Sequence, residues 1–169
     1  MPTARVLGHG WSLRDDLEQC PPADITIAVN RAGVAFTGPI DHWATLHPAN
    51  LPYWEGLRAD AGGAAEYERW SRRQPPPGPP FSIAPHEWGG GSGLFAVRVA
   101  LVELGCDTVF LCGMPMDDGP HCDEVEDWGK SGLFRPDWVM HADKLKGKVV
   151  SLSGWTRELL GGPETLGGD

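Results

Sequence analysis

The first thirty residues constrain the fold more than any other stretch. An apolar run, Ala4-Arg5-Val6-Leu7-Gly8, leads into Gly8-His9-Gly10-Trp11-Ser12-Leu13. A helix is expected from Leu13 through Arg14, Asp15, Asp16, Leu17 and Glu18 to the stop at Cys20-Pro21-Pro22. Ser12 suits the cap of that helix, and the acidic residues of its first turn suit the helix dipole. Ile25-Thr26-Ile27-Ala28-Val29-Asn30 is a β-branched run and a second strand. Strand, glycine turn, helix and strand in this order make a parallel βαβ unit and place the chain in the α/β class.

The remaining elements extend the pattern. A strand is expected at Asp41–Leu46, stopped by His47-Pro48, and partial helix over 50–70, broken near Gly62-Gly63. Gln74-Pro75-Pro76-Pro77-Gly78-Pro79-Pro80 favours polyproline II and reads as a surface loop over 74–80 inside one domain covering 1–169. Phe81–Ala84 reads as a short strand. Leu94 to Leu104 is the best helix, with a broad apolar face and Gly105 after its last turn. Thr108–Gly113 is a continuous apolar strand, as in a parallel sheet covered on both faces. A helix near 136–145, a strand at Val149–Leu152 and a short helix over 155–160 close the chain. The expected fold is a Rossmann-like, three-layer domain on a mostly parallel sheet of about five or six strands.

Composition sets limits on function. Asp+Glu 23 exceed Lys+Arg 14, for a net charge of −9, which argues against a dedicated nucleic-acid or anionic-lipid binder. No apolar run approaches the ~20 residues of a membrane span, and the N-terminus lacks the apolar region of a secretory signal. A soluble, cytoplasmic protein is therefore expected. Cys20, Cys106, Cys112 and Cys122 form no CxxC pair and read as free thiols.

Three features point to a ligand at the strand ends. Gly8 and Gly10 follow the first strand, where a ligand could approach the backbone and phosphate could meet a helix N-terminus. The full dinucleotide fingerprint is missing, because Leu13 stands at its third glycine, and no Lys-Ser/Thr completes a Walker loop. Gly89-Gly90-Gly91-Ser92-Gly93 precedes the strongest helix in the same way. Asn30 ends the second strand beside Arg31, an amide and a cation suited to base, ribose and phosphate. A tight turn, a flexible loop and a solvated Asn-Arg pair are the structural alternatives.

Together these segments resemble bacterial CMP-sialic-acid-dependent sialyltransferases. The resemblance rests on Gly8-x-Gly10-x-Ser12-Leu13, Val29-Asn30, Ser92-Gly93 and Val109-Phe110-Leu111-Cys112-Gly113-Met114-Pro115-Met116-Asp117. The related 6-hydroxymethylpterin diphosphokinase-like proteins are similar at the same places. The resemblance implies that Gly8, Gly10 and Ser12 line nucleotide phosphate and ribose, that Asn30 contacts the nucleotide, and that Ser92 and Gly93 hold the donor. His9 and Trp11 depart from the transferase loop, which has Asn and Pro there. Trp11 is the tryptophan placed to stack on a ligand.

The transferase-like reading expects a nucleotide-sugar donor, a hydroxyl acceptor and a histidine base. His141 falls where the family's base falls, and His9, inside the phosphate turn, is the alternative. Asp117 and Asp118 could instead hold Mg²⁺ against a diphosphate, as a diphosphokinase acting on a pterin-like alcohol would require. A zinc site from Cys112, His121 and Cys122 has poor ligand spacing. A third reading is a binding or assembly module without chemistry. The expected partner is a small nucleotide ligand, and homo-oligomerisation is left open.

Overall fold

The computed structural model describes residues 1–167. Seven strands form one sheet: β1 (Thr3–Leu7), β2 (Ile25–Val29), β3 (His42–Ala44), β4 (Glu68–Ser71), β5 (Ser82–Ile83), β6 (Thr108–Cys112) and β7 (Val149–Ser151). Their order is β5-β4-β3-β2-β1-β6-β7. Every pair is parallel, with Val6 opposite Ile27 on one side of β1 and opposite Leu111 on the other. The chain builds outward from β1 to β5, then crosses back to place β6 on the other side of β1. That reversal makes a switch point between β1 and β6.

Six α-helices cover the sheet: α1 (Leu13–Gln19), α2 (Ala32–Ala35), α3 (Leu51–Asp60), α4 (Ser92–Arg98), α5 (Ser131–Leu145) and α6 (Gly154–Leu160). Alternation along the strands divides the core between two faces. Val6, Ile27, Val29, Val109 and Leu111 pack with α4 and with Trp138, Ala142 and Leu145 of α5. Leu7, Phe110, Cys112 and Val150 turn to the opposite face and pack with Leu13 of α1. Ala28 and Trp43 meet Leu51 and Trp54 of α3 on that second face. The result is the three-layer, Rossmann-like α/β architecture expected from the sequence.

The sheet has one strand more than the upper expectation. The addition is β4, which lies in the stretch read as partly helical. Gly62, at φ +83°, ends the helical turn after Ala61 and lets the chain return to the sheet. There Trp70 is buried, and Arg69 makes two hydrogen bonds to Glu55 of α3, at 2.8 and 2.6 Å. The Pro-rich segment joins β4 to β5, consistent with a loop inside one sheet. The helix expected over 94–104 is α4 continued by a π-helical turn over Val99–Glu103, and it is closed by Gly105 at φ +66°. The helix expected from 136 starts five residues earlier, at Ser131, with Pro136 inside it. No helix among the described residues is long and apolar enough to cross a membrane.

Candidate functional site

A cleft of about 710 Å³ opens at the carboxyl ends of β1, β2, β3 and β6, beside the switch point. Ligands of open α/β sheets bind at this place. The turn after β1 contributes Gly8, His9, Gly10 and Trp11; the end of β2 contributes Asn30 and Arg31. Ser92 and Gly93 at the start of α4, and Asp117 after β6, complete the expected set within it. Ser12, Asp118 and His141 are outside the lining.

The first glycine turn is shaped by packing within the protein. A Cβ on Gly8 would lie 2.5 Å from the Gly113 carbonyl oxygen, and one on Gly10 would lie 2.7 Å from it and 2.5 Å from Pro115 Cδ. The backbone donors are engaged as well: Gly8 N–H donates to Cys112 O, Gly10 N–H to Gly113 O, and Leu13 N–H to Gly10 O. Ser12 occupies the cap position of α1 without capping it. Its buried hydroxyl donates instead to Asp16 Oδ2 at 2.8 Å and accepts from Ser153 Oγ at 2.6 Å.

Asp16 is the hub under this floor. Its Oδ2 also accepts from the Gly113 N–H at 2.8 Å and lies 2.8 Å from Ser153 Oγ, whose single proton it shares with Ser12 Oγ. One buried carboxylate thus ties the turn after β1 to the exits of β6 and β7. In the sequence Asp16 reads as a complement to the helix dipole. Its position four residues after Ser12, one turn along the helix, is the only sign of its inward role.

The second glycine turn keeps its donors free. Phe95 N–H donates to Gly91 O, whereas no acceptor pairs with the N–H groups of Ser92, Gly93 or Leu94 among the described residues. The preceding loop is fixed by side chains. His86 Nε2 lies 3.0 Å from the carbonyls of both Gly89 and Gly90, and Gly90 N–H donates to Asp137 of α5 at 2.8 Å. The Ser92 hydroxyl accepts from Leu46 N–H at 3.0 Å, joining α4 to the end of β3.

Two non-glycine residues of the cleft have left-handed backbones, Asn30 at φ 50° and Met116 at φ 52°. Such conformations persist where surrounding contacts impose them. Asn30 Oδ1 accepts from Thr45 Oγ1 at 2.7 Å, and its carbonyl accepts from the Trp43 indole at 2.7 Å. That leaves the Asn30 side-chain N–H donors without a partner among the described residues. The Met116 carbonyl accepts from Arg135 Nε at 2.9 Å.

Charge is divided across the cleft. Arg72, Arg73 and Lys130 line it, and none pairs with a carboxylate among the described residues. Arg31 is committed elsewhere, to Glu124 at 3.1 Å and Asp123 at 3.5 Å. His9 stacks on His121 with centroids 4.7 Å apart, and His121 Nδ1 lies 3.0 Å from Glu124. Burial holds the His9 pKa below its ordinary value, against the opposing pull of Asp123. Burial, reinforced by Asp123, raises that of the Cys122 thiol.

The two aspartates proposed for Mg²⁺ face different partners. Asp117 accepts the Trp11 indole N–H at 3.0 Å and the Gly119 N–H at 3.0 Å. Asp118 accepts from the Ser131 hydroxyl at 2.6 Å and the Ser131 N–H at 3.2 Å, at the start of α5. These bonds hold its pKa below the usual carboxylate range. Asp117 lines the cleft and Asp118 lies outside its lining. His141 lies on α5, with Nε2 3.0 Å from the Trp88 carbonyl and its ring stacked on Trp88.

The cleft residues that sequence reasoning missed include His47, Arg72, Arg73 and Lys130. His47 follows β3 and is exposed, and Arg72-Arg73 follow β4 directly. Strand-end position would have identified the arginines had β4 been recognised. Comparison with protein-family models, with curated proteins and with solved structures finds no match.

Proposed function

We propose that the cleft binds a nucleotide-activated sugar and that the protein transfers that sugar to a hydroxyl acceptor. One observation carries this reading. The free N–H groups at the start of α4 share the cleft with three cations that lack carboxylate partners among the described residues, in a chain of net charge −9. Backbone donors at a helix start and unpaired guanidinium groups are the chemistry of phosphate recognition. Trp11 is 46% exposed, with its indole N–H fixed by Asp117, and offers an aromatic face for a base. The free side-chain donors of Asn30 suit a base edge or ribose oxygen.

In the reaction the acceptor oxygen attacks the sugar carbon that bears the nucleotide. A new C–O bond forms, and the bond to the phosphate oxygen breaks. The nucleotide leaves with the electron pair, and the cations and α4 N–H groups stabilise its charge. The acceptor proton passes to a histidine. His47 supports this role better than His141, because it lines the cleft and its ring has no hydrogen-bond partner among the described residues.

The test is thermal stability against CMP, UMP, GMP, ADP, ATP and UDP- or CMP-sugars, followed by product analysis with the ligand that binds. A ligand of the folded state adds ~2.7 kcal/mol at a hundredfold excess over its Kd. One nucleotide series should raise the midpoint without Mg²⁺, and Arg73→Ala should weaken its binding about tenfold, the loss of one charge-assisted contact. No shift with any nucleotide at millimolar concentration would overturn the reading. Binding without turnover of any activated sugar would leave a binding module in its place.

A further inference from the structure

We infer that His9, Cys122 and Asp123 form a binding site for one thiophilic divalent transition ion of the Zn²⁺ class. The three donor atoms lie within 4.8 Å of one another. The His9 side chain is only 8% exposed, and its Nε2 lies 2.8 Å from Asp123 Oδ1. Yet that buried nitrogen has no hydrogen-bond partner among the described residues, because the carboxylate is out of line with it. A buried, unpartnered imidazole nitrogen is costly unless something else occupies its lone pair. Close but misaligned nitrogen and oxygen atoms are what two ligands of a common ion would show.

The site is held together without an ion. Cys122 N–H donates to the His9 carbonyl at 3.0 Å, and Gly10 pairs with His121 in an antiparallel bridge. The packed turn after β1 therefore fixes His9 against the 121–123 segment. Arg31 approaches the second oxygen of Asp123, at 3.5 Å, and leaves Oδ1 for the ion. Outer contacts of this kind orient metal ligands. Nitrogen, sulfur and oxygen donors together favour Zn²⁺ or Co²⁺ over Mg²⁺ or Ca²⁺. Three protein ligands leave a coordination position for water or a ligand, as in catalytic zinc sites. His9 also lines the cleft, so the ion would stand at its edge. The cysteine proton is released on coordination. This inference stands apart from the nucleotide reading, since it uses none of Arg72, Arg73 and Lys130.

The test uses the full, reduced chain titrated with Co²⁺ and then displaced by Zn²⁺. One Co²⁺ per chain should bind with a thiolate-to-cobalt charge-transfer band in the near ultraviolet, lost on adding Zn²⁺. Cys122→Ser should abolish the band, and Asp123→Asn should weaken Co²⁺ binding by at least about tenfold. Cys20→Ser should change neither. Circular dichroism confirms that each variant is folded; Asp123 lies near the surface, so its substitution keeps the test informative if Cys122→Ser fails to fold. Absence of stoichiometric binding, or a band that survives Cys122→Ser, overturns the inference. Unchanged affinity in Asp123→Asn overturns it as well.

Discussion

Asp16→Asn should destabilise the protein by about 3 kcal/mol, although the substitution keeps the size and shape of the side chain. Asp16 Oδ2 accepts from Ser12 and from the Gly113 N–H, each at 2.8 Å, and shares the single Ser153 hydroxyl proton with Ser12 Oγ in a three-centre bond, also at 2.8 Å. Hydrogen bonds to an ionised group contribute ~1.5–3 kcal/mol net, against ~0.5–1.5 kcal/mol for neutral partners. Asparagine can place an oxygen where Oδ2 lies, but loses the charge, about 1 kcal/mol for each bond. In a domain of this length 1 kcal/mol is worth about 2–4 °C, so the midpoint should fall by about 6–12 °C. Urea unfolding is the assay, and the m-value should stay unchanged while the midpoint moves. Asp16→Ala should cost more, because it leaves the buried Gly113 N–H without an acceptor. A loss below about 1 kcal/mol in Asp16→Asn would refute the reasoning that a charge-assisted hub fixes the cleft floor.

Arg58 is 1% exposed and donates to four carbonyls, those of Ala64, Gly33, Phe36 and Gly38. Arg58→Met keeps the stem but strands these acceptors, and should cost at least about 3 kcal/mol in urea unfolding, at ~1–3 kcal/mol for each unsatisfied group. Burial holds the His42 pKa below its ordinary 6.5, against Glu68 and Asp41. The unfolded chain therefore takes up the proton first on acidification. The contribution of His42 is complete above 6.5 and is lost as pH falls through its lower folded value. His42→Asn, which can still accept the Trp70 indole N–H, should flatten the decline of the urea midpoint below that pH. His141→Ala should leave nucleotide affinity within about twofold, since no polar contact to the cleft is removed; His47→Ala should leave binding and abolish turnover in a product assay.

The legible parts of the fold were those where sequence-local forces suffice. β2 and β6 are β-branched or apolar runs buried on both faces, and α4 carries an unbroken apolar side. β4 was obscured because Glu68-Arg69-Trp70-Ser71 lacks a strong strand pattern. Its place is set by Arg69 meeting Glu55 and by the burial of Trp70, both tertiary facts. The start of α5 was hidden by Pro136, which reads as a first-turn residue; the structure supplies the true start through Asp118 and Ser131. At the site, the strand-end turns were legible and their use was not. Gly8 and Gly10 look like phosphate-loop glycines, yet the oxygen nearest to them belongs to Gly113. His9 and Cys122 lie far apart in sequence, and the bridge between Gly10 and His121, with the Cys122 N–H bond to the His9 carbonyl, brings them together.

The acidic net charge has a different meaning once its distribution is known. Carboxylates neutralise the structural arginines: Glu55 meets Arg69, Glu87 and Glu103 meet Arg98, and Glu164 meets Arg157. On the β1–β6 side of the cleft, Asp123 and Glu124 meet Arg31. Among the described residues, Arg72, Arg73 and Lys130 are left without such partners. An acidic surface repels polyanions such as nucleic acid as a whole, while unpaired cations in a cleft focus attraction on a small anionic ligand. The charge balance thus argues about the size of the partner rather than the sign of its charge. A nucleotide bound as proposed would satisfy that selection, its phosphate set against the cations and the start of α4, apart from the proposed metal site of His9, Cys122 and Asp123.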